Sequence, residues 1–360
     1  MKKVLILIND STYAYNLRGA IINRLVSEGY RVTIVCQLLK HQEELKKMGA
    51  KLISVETGRH GTNPINDIRL YKAYCKILKD EKPDIVLTYN IKPNVYGGLA
   101  CQKLNIDYIP NITGLGTPVE NPGLLQKITV PLYKKGVKGA RCVFFQNEEN
   151  RKFFYDHKML DRNIRTRLIP GSGVDLSKHN MLPWNDEDIH FLFAARIMKQ
   201  KGIEEFLAAA NKYASDKIIF DVCGFCDDEN YTEILKNNKN VVYHGEQKDL
   251  TSFYRKCTCF LYPSYYPEGM SNVLLESAAS GRPVIACDRA GCRETVEDGI
   301  TGFIVPIMDS EAVIAAVGRL LDMTNEQRKN MGIAGNAKIA REFDRQIVVE
   351  AYMKEIEKGY

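Results

Sequence analysis

The glutamates Glu268 and Glu276 stand eight positions apart in Pro267-Glu268-Gly269-Met270-Ser271-Asn272-Val273-Leu274-Leu275-Glu276. The apolar run Cys257-Thr258-Cys259-Phe260-Leu261-Tyr262 before them reads as a buried strand, and Val273 to Ser280 reads as a helix closed by Gly281. That order puts Glu268 in the crevice beyond a strand's carboxyl end, where open α/β sheets take ligands. Gly269 to Asn272 form the same turn, and the N–H groups of Met270, Ser271 and Asn272 are expected to hold an anion at the helix start. Upstream, the strand-like His190-Phe191-Leu192-Phe193-Ala194-Ala195 ends in Arg196, followed by Lys201-Gly202 and a helical pattern. Arginine forks onto phosphate oxygens and lysine supplies a compact charge, so Arg196 and Lys201 suit a diphosphate whose charge grows as it departs. A carboxylate facing adjacent hydroxyls accepts two hydrogen bonds, which fits Glu276 to a ribose diol and Glu268 to the hydroxyls of a sugar. The set describes a sugar carried on a nucleoside diphosphate. Each residue alone reads as a helix cap or solvated surface; the ordered set is what carries chemistry.

The elements that must position these side chains alternate between strand and helix. Val4–Ile8, Val32–Cys36, Ile85–Thr88, Tyr108–Ile112 and Cys142–Gln146 form one series, and Pro170-Gly171-Ser172-Gly173 interrupts it. Phe191–Ala195, Ile218–Cys223, Val241–Tyr243, Cys257–Leu261, Val284–Cys287 and Gly302–Val305 form a second. Such alternation predicts parallel sheets covered by helices, and 360 residues exceed the usual single domain. The expected division is residues 1–170, 171–344 and a closing helix in 345–360. Gly224, in Cys223-Gly224-Phe225-Cys226 at a strand tip, is expected to let the backbone approach the nucleotide; no second thiol or histidine pair stands at zinc-site spacing.

Net charge is +6, but residues 1–170 carry 28 Lys and Arg against 15 Asp and Glu, while the remainder carries 22 against 29. The first half is therefore expected to meet something anionic. No nucleic-acid motif appears, which leaves a bilayer surface or a pyrophosphate-linked lipid. Leu124, Leu125, Ile128, Val130 and Leu132 lie near Lys127, Lys134, Lys135, Lys138 and Arg141, a pattern for an interfacial helix on an inner leaflet or for a packed helix with a lysine-rich end. Pro131 argues against one continuous helix there. No apolar run is long enough to span a bilayer, and ten scattered cysteines suit a reducing compartment, so the expectation is a cytoplasmic protein, peripheral on the inner face of the plasma membrane. No Gly-x-Gly-x-x-Gly follows the first strand, which argues against a nicotinamide dehydrogenase.

Arg196-x4-Lys201-Gly202, Glu268-x7-Glu276, Ala290-Gly291-Cys292-Arg293-Glu294 and Asp298-Gly299-Ile300-Thr301-Gly302-Phe303, in this order, resemble the family 4 glycosyltransferases of the GT-B fold. The likeness covers nearly the whole chain. It implies two Rossmann-like parallel-sheet domains facing across a cleft: an acceptor domain, a nucleotide-sugar domain, and a last helix crossing back to the first. It further implies that Arg196 and Lys201 bind the diphosphate, Glu268 the donor sugar and Glu276 the ribose, with retained anomeric configuration and no metal or other cofactor. Asp186-Glu187-Asp188 matches the Asp-x-Asp of metal-dependent transferases but reads as a polar connector.

Thr88-Tyr89-Asn90-Ile91-Lys92-Pro93-Asn94-Val95-Tyr96-Gly97 and Asn111-Ile112-Thr113-Gly114-Leu115-Gly116 look like a subgroup that builds bacterial capsule, exopolysaccharide or O-antigen on a lipid carrier. Lys92 is expected to meet a phosphate, Asn94 and Thr113 to offer neutral hydrogen bonds, and Gly114 to permit close backbone approach. The stretch from Asn9 to Arg18 reads as a loop without the family's paired glycines, and Asn16 and Arg18 are expected to hold the acceptor instead. The reading is transfer of a sugar, such as an N-acetylhexosamine, from a UDP-sugar to an undecaprenyl-diphosphate-linked saccharide. The alternatives are a GT-B UDP-sugar epimerase, for which no acid/base set stands out, and a non-catalytic nucleotide-sugar-binding scaffold.

Overall fold

The computed structural model describes residues 1–56, 64–116, 119, 123–161 and 163–358. The chain divides into two compact units. Met1–Ser172, Glu268–Met270 and Arg345–Tyr360 make the first; Gly173–Pro267 and Ser271–Asp344 make the second.

In the first unit β1 (Lys3–Asp10), β2 (Arg31–Gln37), β3 (Lys51–Ser54), β4 (Ile85–Tyr89), β5 (Asp107–Ile112), β6 (Cys142–Phe145) and β7 (Arg165–Leu168) form a parallel sheet in the order β3-β2-β1-β4-β5-β6-β7. In the second, β8 (Ile189–Ala194), β9 (Ile218–Cys223), β10 (Val242–Tyr243), β11 (Cys259–Tyr262), β12 (Val284–Cys287) and β13 (Gly302–Val305) form a parallel sheet in the order β10-β9-β8-β11-β12-β13. Both are the Rossmann order, which reverses direction beside the first strand: between β1 and β4, and between β8 and β11. Parallel sheets covered by helices are what the strand–helix alternation predicts, and their Rossmann-like order is what the family resemblance implies.

β1 shows why the central strands are apolar without interruption. Val4, Ile6 and Ile8 pack with Ile21, Ile22 and Leu25 of the Ser11–Ser27 helix and with Val348, Tyr352 and Ile356 of the Arg345–Glu357 helix. Leu5 and Leu7 pack on the other face with Leu70, Tyr74 and Leu78 of the Pro64–Glu81 helix. A strand covered on both faces has no polar side to alternate with.

Two local expectations are corrected. The stretch after Asn9 is not a loop: β1 runs to Asp10, whose carboxylate accepts from the Tyr13 N–H at 3.0 Å and caps a helix from Ser11 to Ser27. Pro131 does not break its helix, which runs from Leu124 to Val137 with Pro131 exposed and the Thr129 hydroxyl donating to the Leu125 carbonyl at 2.8 Å.

The carboxyl edge of the first sheet holds a buried polar network. The Thr88 hydroxyl donates to Asn94 Oδ1 at 2.6 Å, and Asn94 Nδ2 donates to the Asn111 carbonyl and to the Tyr133 hydroxyl, both at 2.9 Å. Asn111 Nδ2 donates to the Tyr352 hydroxyl at 2.6 Å, and Gln146 Nε2 donates to Asn111 Oδ1 at 3.2 Å. The Arg345–Glu357 helix is thereby tied to β5. It is also tied to β7 through Glu355, which accepts from Arg165 at 2.7 Å and Arg167 at 2.8 Å. Burial pushes the Glu355 carboxyl up, but Lys358, Arg165 and Arg167 outweigh it and hold it below the usual glutamate range.

Tyr352→Phe removes the acceptor for a buried Asn111 N–H while keeping the ring, and an orphaned donor of that kind costs about 1–3 kcal/mol. Urea unfolding of the first unit is expected to show a lower midpoint; an unchanged midpoint would mean that this bond does not hold the helix.

Candidate active site

In the second unit, the chain leaves β8 through Arg196, and a single 3-10 turn, Lys199–Lys201, leads into the Ile203–Tyr213 helix. Because the strand order reverses there, the neighbour of β8 is β11, and Lys201 Nζ donates to the hydroxyl of Tyr262, the last residue of β11, at 3.0 Å. Lys201 Nζ lies 4.6 Å from the ring centroid of Tyr266, and the Arg196 guanidinium lies 5.6 Å from the same ring. Arg196 also pairs with Asp227 at 3.0 Å. The structure thus brings Arg196 and Lys201 together on one tyrosine.

Lys201 is 8% exposed. Burial pushes its ammonium down to about 8, Arg196 adds to that depression, and Cys292 and Tyr266 oppose it. A lysine held this way at neutral pH carries a charge that its surroundings stabilise poorly, and an incoming anion relieves that cost.

Glu276 lies on the Asn272–Ala279 helix, half-buried, and accepts from the Tyr254 hydroxyl at 3.3 Å, which orients its carboxylate. Ser271 sits before that helix, 1% exposed, with its side chain hydrogen-bonded to the Tyr262 hydroxyl. Its N–H is not open to an anion as expected, since it donates to the Gly291 carbonyl at 2.9 Å. Asn272, the first residue of the helix, is half-buried. Gly224 also differs from expectation. Its N–H donates to the Gly245 carbonyl at 2.8 Å and its carbonyl accepts from the Tyr243 hydroxyl at 2.9 Å, so both backbone groups are used inside the unit. At φ +145° a Cβ there would run into the Ala195 carbonyl, which explains the glycine by the close approach of the β8 and β9 ends.

The first unit contains Glu268, Gly269 and Met270, with Glu268 half-buried and the other two buried. Asn147 Nδ2 donates to the Glu268 carbonyl at 3.3 Å and to the Gly269 carbonyl at 2.7 Å. The residues expected to hold an acceptor are in the same unit but do not form one set. Asn16 is exposed and Arg18 is 3% exposed, two residues apart on one helix and therefore on different faces. The Arg18 guanidinium lies 4.3 Å from the Tyr89 ring centroid, and its Nε has no hydrogen-bond partner among the described residues. Lys92 is not a loop lysine facing solvent: its Nζ pairs with Asp67 at 3.1 Å, just ahead of the Pro93–Gly97 π-turn. Asn94 is fully buried with its amide committed to Thr88, Asn111 and Tyr133, so it is a framework residue. Thr113 accepts from Asn90 Nδ2 at 3.5 Å, and Gly114 follows at φ +130°. Asp186, in the connector before β8, accepts from Asn325 Nδ2 at 2.5 Å.

Sequence reasoning missed Tyr262 and Tyr266, the two tyrosines that hold the cations. Their signal was the aromatic cluster Tyr262 to Tyr266 running into Pro267-Glu268. It also missed Asn147.

Comparison with known proteins defines the class. The model of "Glycosyl transferase 4-like" proteins matches residues 3–147, and that of "Glycosyl transferases group 1" matches residues 176–338. The chain belongs to the GT-B glycosyltransferases of the family 4 type. An uncharacterised glycosyltransferase of Methanocaldococcus jannaschii is 29% identical over 63% of this chain, which spans 61% of that relative's length. The UDP-Gal:alpha-D-GlcNAc-diphosphoundecaprenol alpha-1,3-galactosyltransferase of Escherichia coli is 23% identical over 83% of this chain and 82% of its own. Among solved structures, Anabaena HepE in complex with UDP and glucose superposes over 100% of both chains with a TM-score of 0.80 at 15% identity, a likeness of fold.

A depressed lysine pKa has a definite sign in folding. Below pH 8 the folded chain carries the full cost of the charged, buried Lys201; as pH rises from 8 towards the ordinary lysine value of 10.5 that cost disappears. Lys201→Met is therefore expected to melt a few degrees above the wild type at about pH 7, with the gap narrowing by about pH 9.5. Calorimetry at both pH values checks this, and a gap that stays constant counts against a strained lysine.

Proposed function

We propose that this chain is a retaining, UDP-sugar-dependent hexosyltransferase acting on an undecaprenyl-diphosphate-linked saccharide. Its setting is the synthesis of a bacterial capsule, exopolysaccharide or O-antigen, in the cytoplasm at the inner face of the plasma membrane. An N-acetylhexosamine is the donor sugar we favour. The observation that carries the reading is the dehydrated Lys201 beside Arg196 at the switch point between β8 and β11. Support for the donor and acceptor classes comes from the names of the Escherichia coli relative and of the UDP-bound HepE.

In this reading Arg196 and Lys201 bind the diphosphate, Glu276 the ribose and Glu268 the sugar. The acceptor hydroxyl attacks the anomeric carbon from the face the diphosphate leaves. The bond from that carbon to the phosphate oxygen breaks, its electron pair stays with the diphosphate, and the diphosphate oxygen takes the acceptor's proton. Charge on the leaving group grows as this happens, so the two cations stabilise the transition state more than the ground state. On the acceptor side Arg18 and Thr113 remain the candidates; Lys92 and Asn94 act through Asp67 and the strand-end network instead.

UDP release by the purified protein, with and without lipid extract and across a panel of UDP-sugars, tests the proposal. Release that depends on lipid is expected. Donor isomerised or hydrolysed without lipid would mean an epimerase, and binding without turnover a scaffold. Lys201→Ala and Glu268→Ala are each expected to lower kcat by about 100-fold or more, as lost electrostatic contacts do, with the circular dichroism spectrum retained. Unchanged turnover in both variants rules out this site.

For the membrane, the Leu124–Val137 helix leaves Leu124, Leu125 and Ile128 exposed, followed by exposed Lys134, Lys135 and Lys138. Ile65 and Ile68, in the first turns of the Pro64–Glu81 helix, are exposed as well. Among the described residues no helix is long and apolar enough to cross a bilayer, and the association proposed here is through exposed residues alone. Lys134→Glu with Lys135→Glu is expected to weaken sedimentation with phosphatidylglycerol vesicles by roughly thirtyfold, at about 1 kcal/mol per lysine removed. Equal binding by the variant would remove the membrane from the proposal.

A further inference from the structure

Asn147 lies two residues past the end of β6, is 1% exposed, and uses its side-chain amide twice. Its Oδ1 accepts from the Asn150 N–H at 2.8 Å, capping the Glu148–Asp156 helix. Its Nδ2 donates to two successive backbone carbonyls, those of Glu268 and Gly269. A helix needs only the first of these bonds. The second pair holds a segment 121 residues away in sequence.

The seat around that segment is built to backbone tolerance. A Cβ on Gly269 would collide with Gln146 Oε1 and come within 2.7 Å of the Thr113 carbonyl oxygen, so any other residue would lift the segment off its seat. Met270 is wedged against Gly171, where a Cβ would stand 2.5 Å from the Met270 Cβ. Gln146 is itself fixed by Asn111, which is fixed by Tyr352. The backbone of residues 268–270 is therefore referenced to the core of the first unit, and Asn147 grips it by two hydrogen bonds.

We propose that Asn147 is a positioning residue for Glu268. By fixing the carbonyls of Glu268 and Gly269, it fixes the point from which the Glu268 carboxylate extends. This inference rests on the reading of Glu268 as the residue that meets the donor sugar. A carboxylate displaced by about 1 Å loses the alignment of its hydrogen bonds, and misplacement on that scale costs on the order of 100-fold in rate.

Two substitutions separate the two uses of the amide. Asn147→Asp keeps an oxygen to cap the helix and replaces the donor with a carboxylate that repels both carbonyls; Asn147→Ser keeps a capping hydroxyl that is too short to reach them. In both, the Kd for UDP and the circular dichroism spectrum are expected to stay near the wild type, while the melting temperature falls by a few degrees because two carbonyls lose their donor. The kcat for transfer should fall by roughly 10-fold to 100-fold, and hydrogen exchange in the peptide spanning residues 264–272 should quicken. Wild-type kcat in both variants, or unchanged exchange, overturns the proposal. So does a kcat loss that comes with an equal loss of UDP affinity, since that is damage to the second unit's site rather than misplacement of Glu268. If the wild-type protein itself turns over no donor, the functional reading falls, and the exchange measurement still decides whether Asn147 fixes the segment.

Discussion

Parallel pairing of every strand in both sheets is the constraint from which the rest follows. It sends all carboxyl ends to one edge of each sheet and starts the covering helices there, so strand ends and helix starts with unpaired backbone groups crowd together. Each unit meets that demand differently. The first fills its edge with amides and hydroxyls that satisfy one another, from Thr88 through Asn94 and Asn111 to Tyr352. The second leaves two cations at its edge, held by tyrosines. One edge is satisfied by neutral groups; the other keeps a buried lysine and an arginine that pairs with Asp227.

The fold was legible where burial is two-sided. The Val4–Ile8, Ile85–Thr88 and Phe191–Ala195 runs are apolar because helices cover both faces, and no other element accounts for them. β3 and β7 were not legible, since Lys51-Leu52-Ile53-Ser54 and Arg165-Thr166-Arg167-Leu168 are short edge strands whose polar residues discourage pairing with a further chain. The stretch from Asn9 to Arg18 misled because its tyrosines and asparagines resemble a loop, while a single capping carboxylate, Asp10, decides for helix.

The candidate site was legible as a list of residue types and not as a set of partners. Arg196 and Lys201 stand out by spacing, yet their shared contact, Tyr266, lies far along the chain. Lys92 and Asn94 looked available because sequence shows a polar side chain but not the Asp67 or Tyr133 that engages it. Asn147 gave only its local signal, an N-cap ahead of Glu148 and Glu149, because hydrogen-bond partners 121 residues distant leave no mark on spacing.

The Arg345–Glu357 helix carries a consequence for biogenesis. Val348, Tyr352 and Ile356 complete a hydrophobic cluster that also contains Val4 and Ile6, so residues far apart in the chain share one core. On the ribosome the first half emerges with that face uncovered and waits through the translation of some two hundred further residues, a span of roughly 10 to 40 seconds at ordinary elongation rates. Among the described residues that cluster takes none from the second unit, whose core forms without waiting for the Arg345–Glu357 helix.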